Sequence, residues 1–478
     1  MTSVSSTRTA RSDAETAAPD QAAVIARGRT MDALREVFAD ALASRSRPVI
    51  ARVPAPLAPI DALARAVPDA DATIFSVPGG PAVATLGTHA WIEARGADRV
   101  SALRAGIARA LAGVPVVARL GATASHARVI GGMAFAPGAA DRAPWDVLGD
   151  AAFSLPSLTY ELTAHGAELA VLFDPAGGPR GLRRTLDDAD EALAQLARRD
   201  AEPRARRPAA RTSTVETSGG WTARIAAILS AIEQGSVHKV VAARCVNAHA
   251  DASFDPLALI AELGARATGT TLLAVRARGV AFVAATPEQL VSKRGSVVRT
   301  MALAGSADSN DPRAAASLVS STKDLREHAL VVAGIRDALS ALCEHVHVDA
   351  APTVRALTNV LHLETRIGAE AIAGTHVLDF VGALHPTAAV AGTPTARALA
   401  WIAAHEPEPR GWYAGPFGWI DAQGDGELVV ALRCALTRGA DAWVYGGAGI
   451  VAGSDASREL AETNCKMRPM LSALGAPR

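Results

Sequence analysis

LHPTAAVAGTP (Leu384–Pro394), RGWYAGPFGWID (Arg410–Asp421), GDGE (Gly424–Glu427), VVALRC (Val429–Cys434), GGAGIV (Gly446–Val451) and RELAETNCK (Arg458–Lys466) follow one another near the C-terminal end of the chain. Each supplies a different part of a site for a small polyanion. HPT and AGTP offer a His between tight turns. VVALRC puts Arg433 on an apolar strand, where an arginine usually meets a carboxylate, the protein's own or a ligand's. Gly447-Ala448-Gly449 either lets backbone donors approach an anion or forms a strand bulge. Glu459, Glu462 and Lys466 fall at i, i+3 and i+7, on one face of a helix. Packing alone does not call for such a set.

The rest of the composition sets bounds on that reading. The chain has 478 residues, enough for two ordinary domains or one large two-layer domain. Its apolar fraction is 49% with only 4% aromatics, so Ala, Val and Leu must build the core. Lys plus Arg and Asp plus Glu are 48 each, so no global field favours nucleic acid or an anionic membrane. Cys245, Cys343, Cys434 and Cys465 share no metal-ligand spacing and read as reduced thiols. No run approaches the roughly 18 apolar residues of a membrane span, and the N-terminus lacks the apolar region of a secretory signal. A cytoplasmic protein is expected, with residues 1–25 as a disordered tail.

Residues 26–197 are Ala-rich, with strand-like runs at 48–53, 72–77, 114–120 and 169–173 and helical ones at 99–111 and 186–198. Residues 198–215, RRDAEPRARRPAARTSTV, read as an exposed linker. From 216 to 478 the signals sharpen. The spacing predicts a helix over 221–233 and a buried strand over 237–246, with further strands at 271–275, 280–284, 297–303, 428–432 and 442–446. One long or two shorter helices occupy 314–342. The irregular alternation points to a layered α+β fold.

Further positions could carry chemistry, alone or with the helical carboxylates. Lys239 shares a strand face with Val237, Val241 and Ala243; burial there would favour its neutral, basic form. Alternatively the strand end is exposed and Lys239 reaches water. Glu288, directly after a strand and Pro287, is held for proton donation, or it caps a helix. Glu327 and Glu462, with Glu459 nearby, could offer Mg²⁺ one carboxylate per helix, or lie on solvated faces. His385, extended before Pro386, could donate to a substrate hydroxyl or cap a turn.

Taken in order, KVVAARCV, ATPEQL, TMALAGS, KDLREHALVV, VLHLET and the six C-terminal segments resemble the chorismate-utilising enzymes across roughly Trp221–Leu474. The resemblance implies an α/β sandwich, with two stacked, largely antiparallel sheets flanked by helices. It also implies an Mg²⁺-dependent isomerase that converts chorismate to isochorismate, for menaquinone or siderophore and salicylate synthesis. Lys239 matches the base that activates water for attack at ring carbon 2, where ammonia-using relatives tend to carry Gln. Glu288 matches the acid that protonates the departing hydroxyl at carbon 4. Glu327 and Glu462 match the metal ligands, with Glu459 acting through metal-bound water. Arg433 and Lys466 match the carboxylate-holding residues, assisted by Gly305, Ser306 and Gly447, while His385, Ala389 and Tyr413 line the ring pocket. Ala304 stands where aminodeoxychorismate synthases often carry an attacking Lys. The alternative is a salicylate synthase, which goes on to eliminate pyruvate; anthranilate and aminodeoxychorismate synthases fit less well. No amidotransferase subunit is expected. Ala388, Ala391, Gly446 and Leu460 depart from the usual motifs by small or apolar swaps.

Overall fold

A computed structural model describes residues 21–476 apart from 45–46, 199–208, 215, 310 and 359. Its helices surround a large, curled sheet of 21 strands joined in one hydrogen-bonded network. The Val49–Ala55 strand runs parallel to Val116–Ala118, and the remaining described pairings are antiparallel.

The network has two arms that meet at a pair of 13-residue strands, Ala82–Ala94 and Ala151–Thr163. The C-terminal half of Ala151–Thr163 pairs with Gly166–Phe173, and its N-terminal half with Arg128–Met133. One arm continues from Ala82–Ala94 through Ala72–Ser76, Thr271–Ala277, Val280–Thr286, Cys434–Arg438 and Asp441–Ile450 to Lys239–Ala250. The other runs from Arg128–Met133 through Pro416–Asp421, Gly426–Val430, Gln289–Arg294 and Val297–Asp308 to Val360–Ala371.

Two short links in the C-terminal region pass directly from one arm to the other. Pro287 and Glu288 link Val280–Thr286 to Gln289–Arg294, and residues 431–433 link Gly426–Val430 to Cys434–Arg438. The two crossings lie side by side: the Val430 N–H donates to the Glu288 carbonyl at 3.0 Å and the Ala285 N–H to the Arg433 carbonyl at 3.3 Å. Arg433 is therefore not on a strand, as its apolar neighbours suggested. It sits at the crossing with φ of +53°, because the backbone must turn between two ladders there. Nor does Glu288 cap a helix, since the chain continues as a strand.

Strand alternation sorts the core. In Val280–Thr286, Phe282 and Ala284 face the apolar cluster that contains Trp145, Leu290 and Trp412, while Val283 and Ala285 face one that contains Phe38, Leu193, Leu263 and Met470. The second cluster lies under the Gln21–Ala43, Gly178–Ala197, Pro256–Arg266 and Ala456–Ala473 helices. The 314–342 region forms two helices, Ala314–Ser320 and Thr322–Ser340, broken at Ser321, whose hydroxyl accepts from the Asp324 N–H at 3.2 Å. His328, Val331, Ile335 and Leu339 form the buried stripe of the longer one.

The first helix begins at Gln21, inside the segment expected as a tail; residues 1–20 lie outside the described residues. So do 199–208 and 215 of the expected linker, while Ala210–Thr214 pairs with the far end of Lys239–Ala250 and is exposed after Ala210. No helix among the described residues is long and apolar enough to cross a membrane.

Candidate active site

The arm crossings form one wall of a pocket lined by Glu288, Gly305, Ser306, Glu327, Ala389, Tyr413, Arg433, Gly447, Glu462 and Lys466, among others. Ten positions singled out from sequence thus meet in one place. The Thr322–Ser340 helix brings Glu327 from the second arm, and Ala456–Ala473 brings Glu462 and Lys466 from the first.

Lys239 lies behind Glu327. It is fully buried, not reaching water, and its Nζ donates to Glu327 Oε1 at 2.8 Å. Glu288 is also buried, and burial pushes its carboxyl up to about 7 against the opposing charges of Lys239, Lys466 and Arg433. A carboxyl titrating there is available as an acid at neutral pH. Glu462 is held below the usual carboxylate range, despite burial, by Lys466 at 2.5 Å and by Ser306. Lys466 also donates to the Gly447 carbonyl at 2.9 Å. Burial raises Glu459, aided by the Glu462 charge; it pairs with Lys323 at 3.1 Å and does not line the pocket.

The glycine run is a regular strand, not a bulge: Gly446, Gly447, Ala448 and Gly449 pair in unbroken register with Arg244, Ala243, Ala242 and Val241. Its glycines clear space. A Cβ on Gly447 would stand 2.7 Å from the Tyr413 hydroxyl, and one on Gly449 would stand 2.5 Å from Glu327 Oε1. Gly446 is equally confined, with Met467 Cγ 2.8 Å from a Cβ there. What Gly447 offers in the structure is its carbonyl, to Lys466, not the donors expected of an anion loop.

His385 is placed differently from expectation. Burial lowers its imidazole to about 3, so the ring is neutral, and Nε2 stands 2.9 Å from the Phe135 carbonyl. The one ring hydrogen is committed there, so the buried, unpartnered Nδ1 can accept but not donate. His385 is not among the pocket-lining residues. Conversely, the pocket contains His362, part of the quoted VLHLET but not singled out. A lone imidazole in an otherwise apolar strand run was the available signal. Tyr445, stacked on Tyr413 at 5.3 Å, was missed too, because it reads as an ordinary core aromatic.

Glu327 and Glu462 bring carboxylate oxygens to the pocket, which suit a hard divalent cation. Glu327 and Glu462 line the same pocket, and both charges push the Asp324 carboxyl up, after its burial. No three His, Cys, Asp or Glu side chains among the described residues are grouped closely enough to cage an ion themselves. An ion here would rest on few protein ligands and draw the others from water and substrate, as Mg²⁺ does.

These features define a class: an enzyme pocket for a small anion, with a buried acid, a buried lysine and paired carboxylates at the seam of a curled sheet. The sequence profile described as chorismate binding enzyme matches residues 37–475, and the chain belongs to that family. Curated relatives include the salicylate biosynthesis isochorismate synthase of Pseudomonas aeruginosa, 34% identical over 366 residues, 73% of this chain and 74% of the relative. Isochorismate synthase MenF of Bacillus subtilis is 31% identical over 355 residues, 73% of this chain and 75% of the relative. Among solved structures, the menaquinone-specific isochorismate synthase of Escherichia coli superimposes with a TM-score of 0.75 at 26% identity, covering 93% of this chain and 99% of that one.

Proposed function

We propose that this chain is an isochorismate synthase, an isomerase that exchanges the ring hydroxyl of chorismate. The observation that carries the reading is a carboxyl pushed up to about 7, Glu288, buried in the same pocket as Arg433, Lys466 and Glu327, with Lys239 behind. Water attacks ring carbon 2, with Lys239 as the base that takes its proton. The ring double bonds shift, and the carbon 4 hydroxyl leaves as water with the proton of Glu288. One water enters and one departs, so the mass is unchanged; the protons on Lys239 and Glu288 then reset by exchange with solvent.

Arg433 and Lys466 hold the substrate carboxylates, with Gly305, Ser306 and Gly447 shaping that end and Ala389 and Tyr413 lining the ring. His385 holds the Phe135 carbonyl through its ring nitrogen. Glu327 and Glu462 would hold Mg²⁺, with Glu459 reaching it through water, and the bound ion would supply positive charge to the ring carboxylate.

The same reading takes the two arms as the stacked sheets of a sandwich. It also divides the chain into a variable part, 26–197, and a catalytic region, 216–478, supported by the fact that the proposed catalytic and ligand-holding residues come from the second. Burial of all four cysteines supports a reducing, cytoplasmic setting. Relatives named for menaquinone, vibriobactin and salicylate synthesis support isochorismate as the shared product. The test is incubation with chorismate and Mg²⁺, with products followed by chromatography and mass. A product of unchanged mass at the isochorismate position is expected. Salicylate with pyruvate, or an aromatic amine on adding ammonium, would overturn the assignment.

A further inference from the structure

Among the described residues no carboxylate lies within ion-pair distance of Arg433, yet the residue is only partly exposed at the crossing. Its Nη2 stands 3.1 Å from Nε2 of His362. An arginine can only donate, so Nε2 must present its lone pair. The ring hydrogen then belongs on Nδ1, which has two acceptors within reach: the Gly305 carbonyl at 3.0 Å and Ser306 Oγ at 3.2 Å.

The backbone is built to aim that carbonyl. Register between Val297–Asp308 and Val360–Ala371 slips between Ala304 and Ser306, leaving Gly305 as an extra residue with φ of +76°. His362 pairs with Ser306 just past the slip. A side chain on Gly305 would meet Asp324 Cβ at 3.2 Å, so the position favours glycine on both counts. The imidazole is itself buried, and burial with the charges of Arg433 and Lys466 holds it well below its ordinary value, hence neutral.

We infer that His362, held as the Nδ1–H tautomer by the Gly305 bulge, is the residue that positions Arg433 for a substrate carboxylate. It touches no reacting atom; it fixes the rotamer of the cation that does the binding. The identity of the anion rests on the chorismate reading, whereas the tautomer rests on geometry alone.

Two substitutions separate the two ends of the ring. In His362→Asn the amide can still donate to the Gly305 carbonyl, but nothing reaches Arg433. In His362→Gln the longer amide can set an oxygen where Nε2 stood. Because a bond to a charged group contributes roughly 1.5 kcal/mol, H362N is expected to raise the KM for chorismate about tenfold. Its kcat should change little, since Arg433 holds ground state and transition state alike. H362Q should recover most of the loss. A merely structural histidine would instead lower Tm in both variants and leave KM alone, and that result overturns the inference.

The second readout needs no turnover. Nitrogen-15 spectra of histidine-labelled wild-type protein are expected to show His362 protonated at Nδ1, with the Nε2 resonance shifting in Arg433→Gln. An Nε2–H tautomer, or an Nε2 signal indifferent to R433Q, overturns it. If wild-type protein leaves chorismate untouched, the chorismate reading fails while the spectra still decide the positioning role.

Discussion

Glu288→Gln should inactivate the protein and stabilise it at the same time, with the second effect appearing only at higher pH. The Glu288 carboxyl moves from an ordinary value of 4.5 to about 7 on folding, chiefly because burial penalises its charged form. Between those values the folded chain holds a proton that the unfolded chain has released, so stability falls as pH rises through the interval. The difference of about 2.5 units corresponds to on the order of 3 kcal/mol, present below pH 4.5 and lost above pH 7. Gln mimics the protonated carboxyl and does not titrate. The variant should match wild type near pH 5 and exceed it by on the order of 3 kcal/mol near pH 8. For a chain this long that is roughly 3 °C in Tm. Thermal unfolding of both proteins across that range is the assay, with turnover expected to drop by about 10²–10⁴-fold. Parallel stability curves would refute the burial argument, and near-normal turnover would refute the acid role.

Three further outcomes follow from the same geometry. Lys239→Ala should abolish turnover and cost about 3 kcal/mol of stability by leaving Glu327 unpaired, with added Glu327→Gln recovering part of that stability in urea unfolding. Undiminished activity would remove Lys239 as the base. Gly449→Ala would place a methyl 2.5 Å from Glu327 Oε1 and 2.9 Å from Lys239 Cε, parting the ion pair. It should lower kcat at least about tenfold at a stability cost of about 1–3 kcal/mol; wild-type kinetics would show that the contact is dispensable. Chelation with EDTA should stop turnover and Mg²⁺ restore it, with Glu327→Gln and Glu462→Gln each raising the Mg²⁺ needed for half-maximal rate. A fully active chelated enzyme would release both carboxylates from that role.

The residues of the pocket were legible in the chain because their types are unusual for their settings. A lysine in KVVAARCV, an arginine in VVALRC and two carboxylates with a lysine at helical spacing all violate a purely apolar pattern. Local periodicity also located the 99–111 helix at its observed bounds, and the Lys239–Ala250 strand to within a few residues. It missed the Ala82–Ala94 and Ala151–Thr163 strands, whose apolar alternation is interrupted by Gly87, His89 and Pro156. These two join the arms, and their stability comes from pairing with each other and with neighbours distant in sequence.

Residue type and spacing therefore sufficed to name the charged groups and the family they resemble, since these depend on local pattern. Protonation and aim did not follow from pattern. Glu288 titrates near neutrality because the crossing buries it, and Lys239 is paired because the Thr322–Ser340 helix, packed on the other arm, brings Glu327 to it. Arg433 points into the pocket from a left-handed turn between ladders, steadied by a histidine 71 positions away in the chain. Burial, charge pairing and hydrogen-bond direction are properties of what surrounds a group, and here the surroundings arrive from both arms of the sheet.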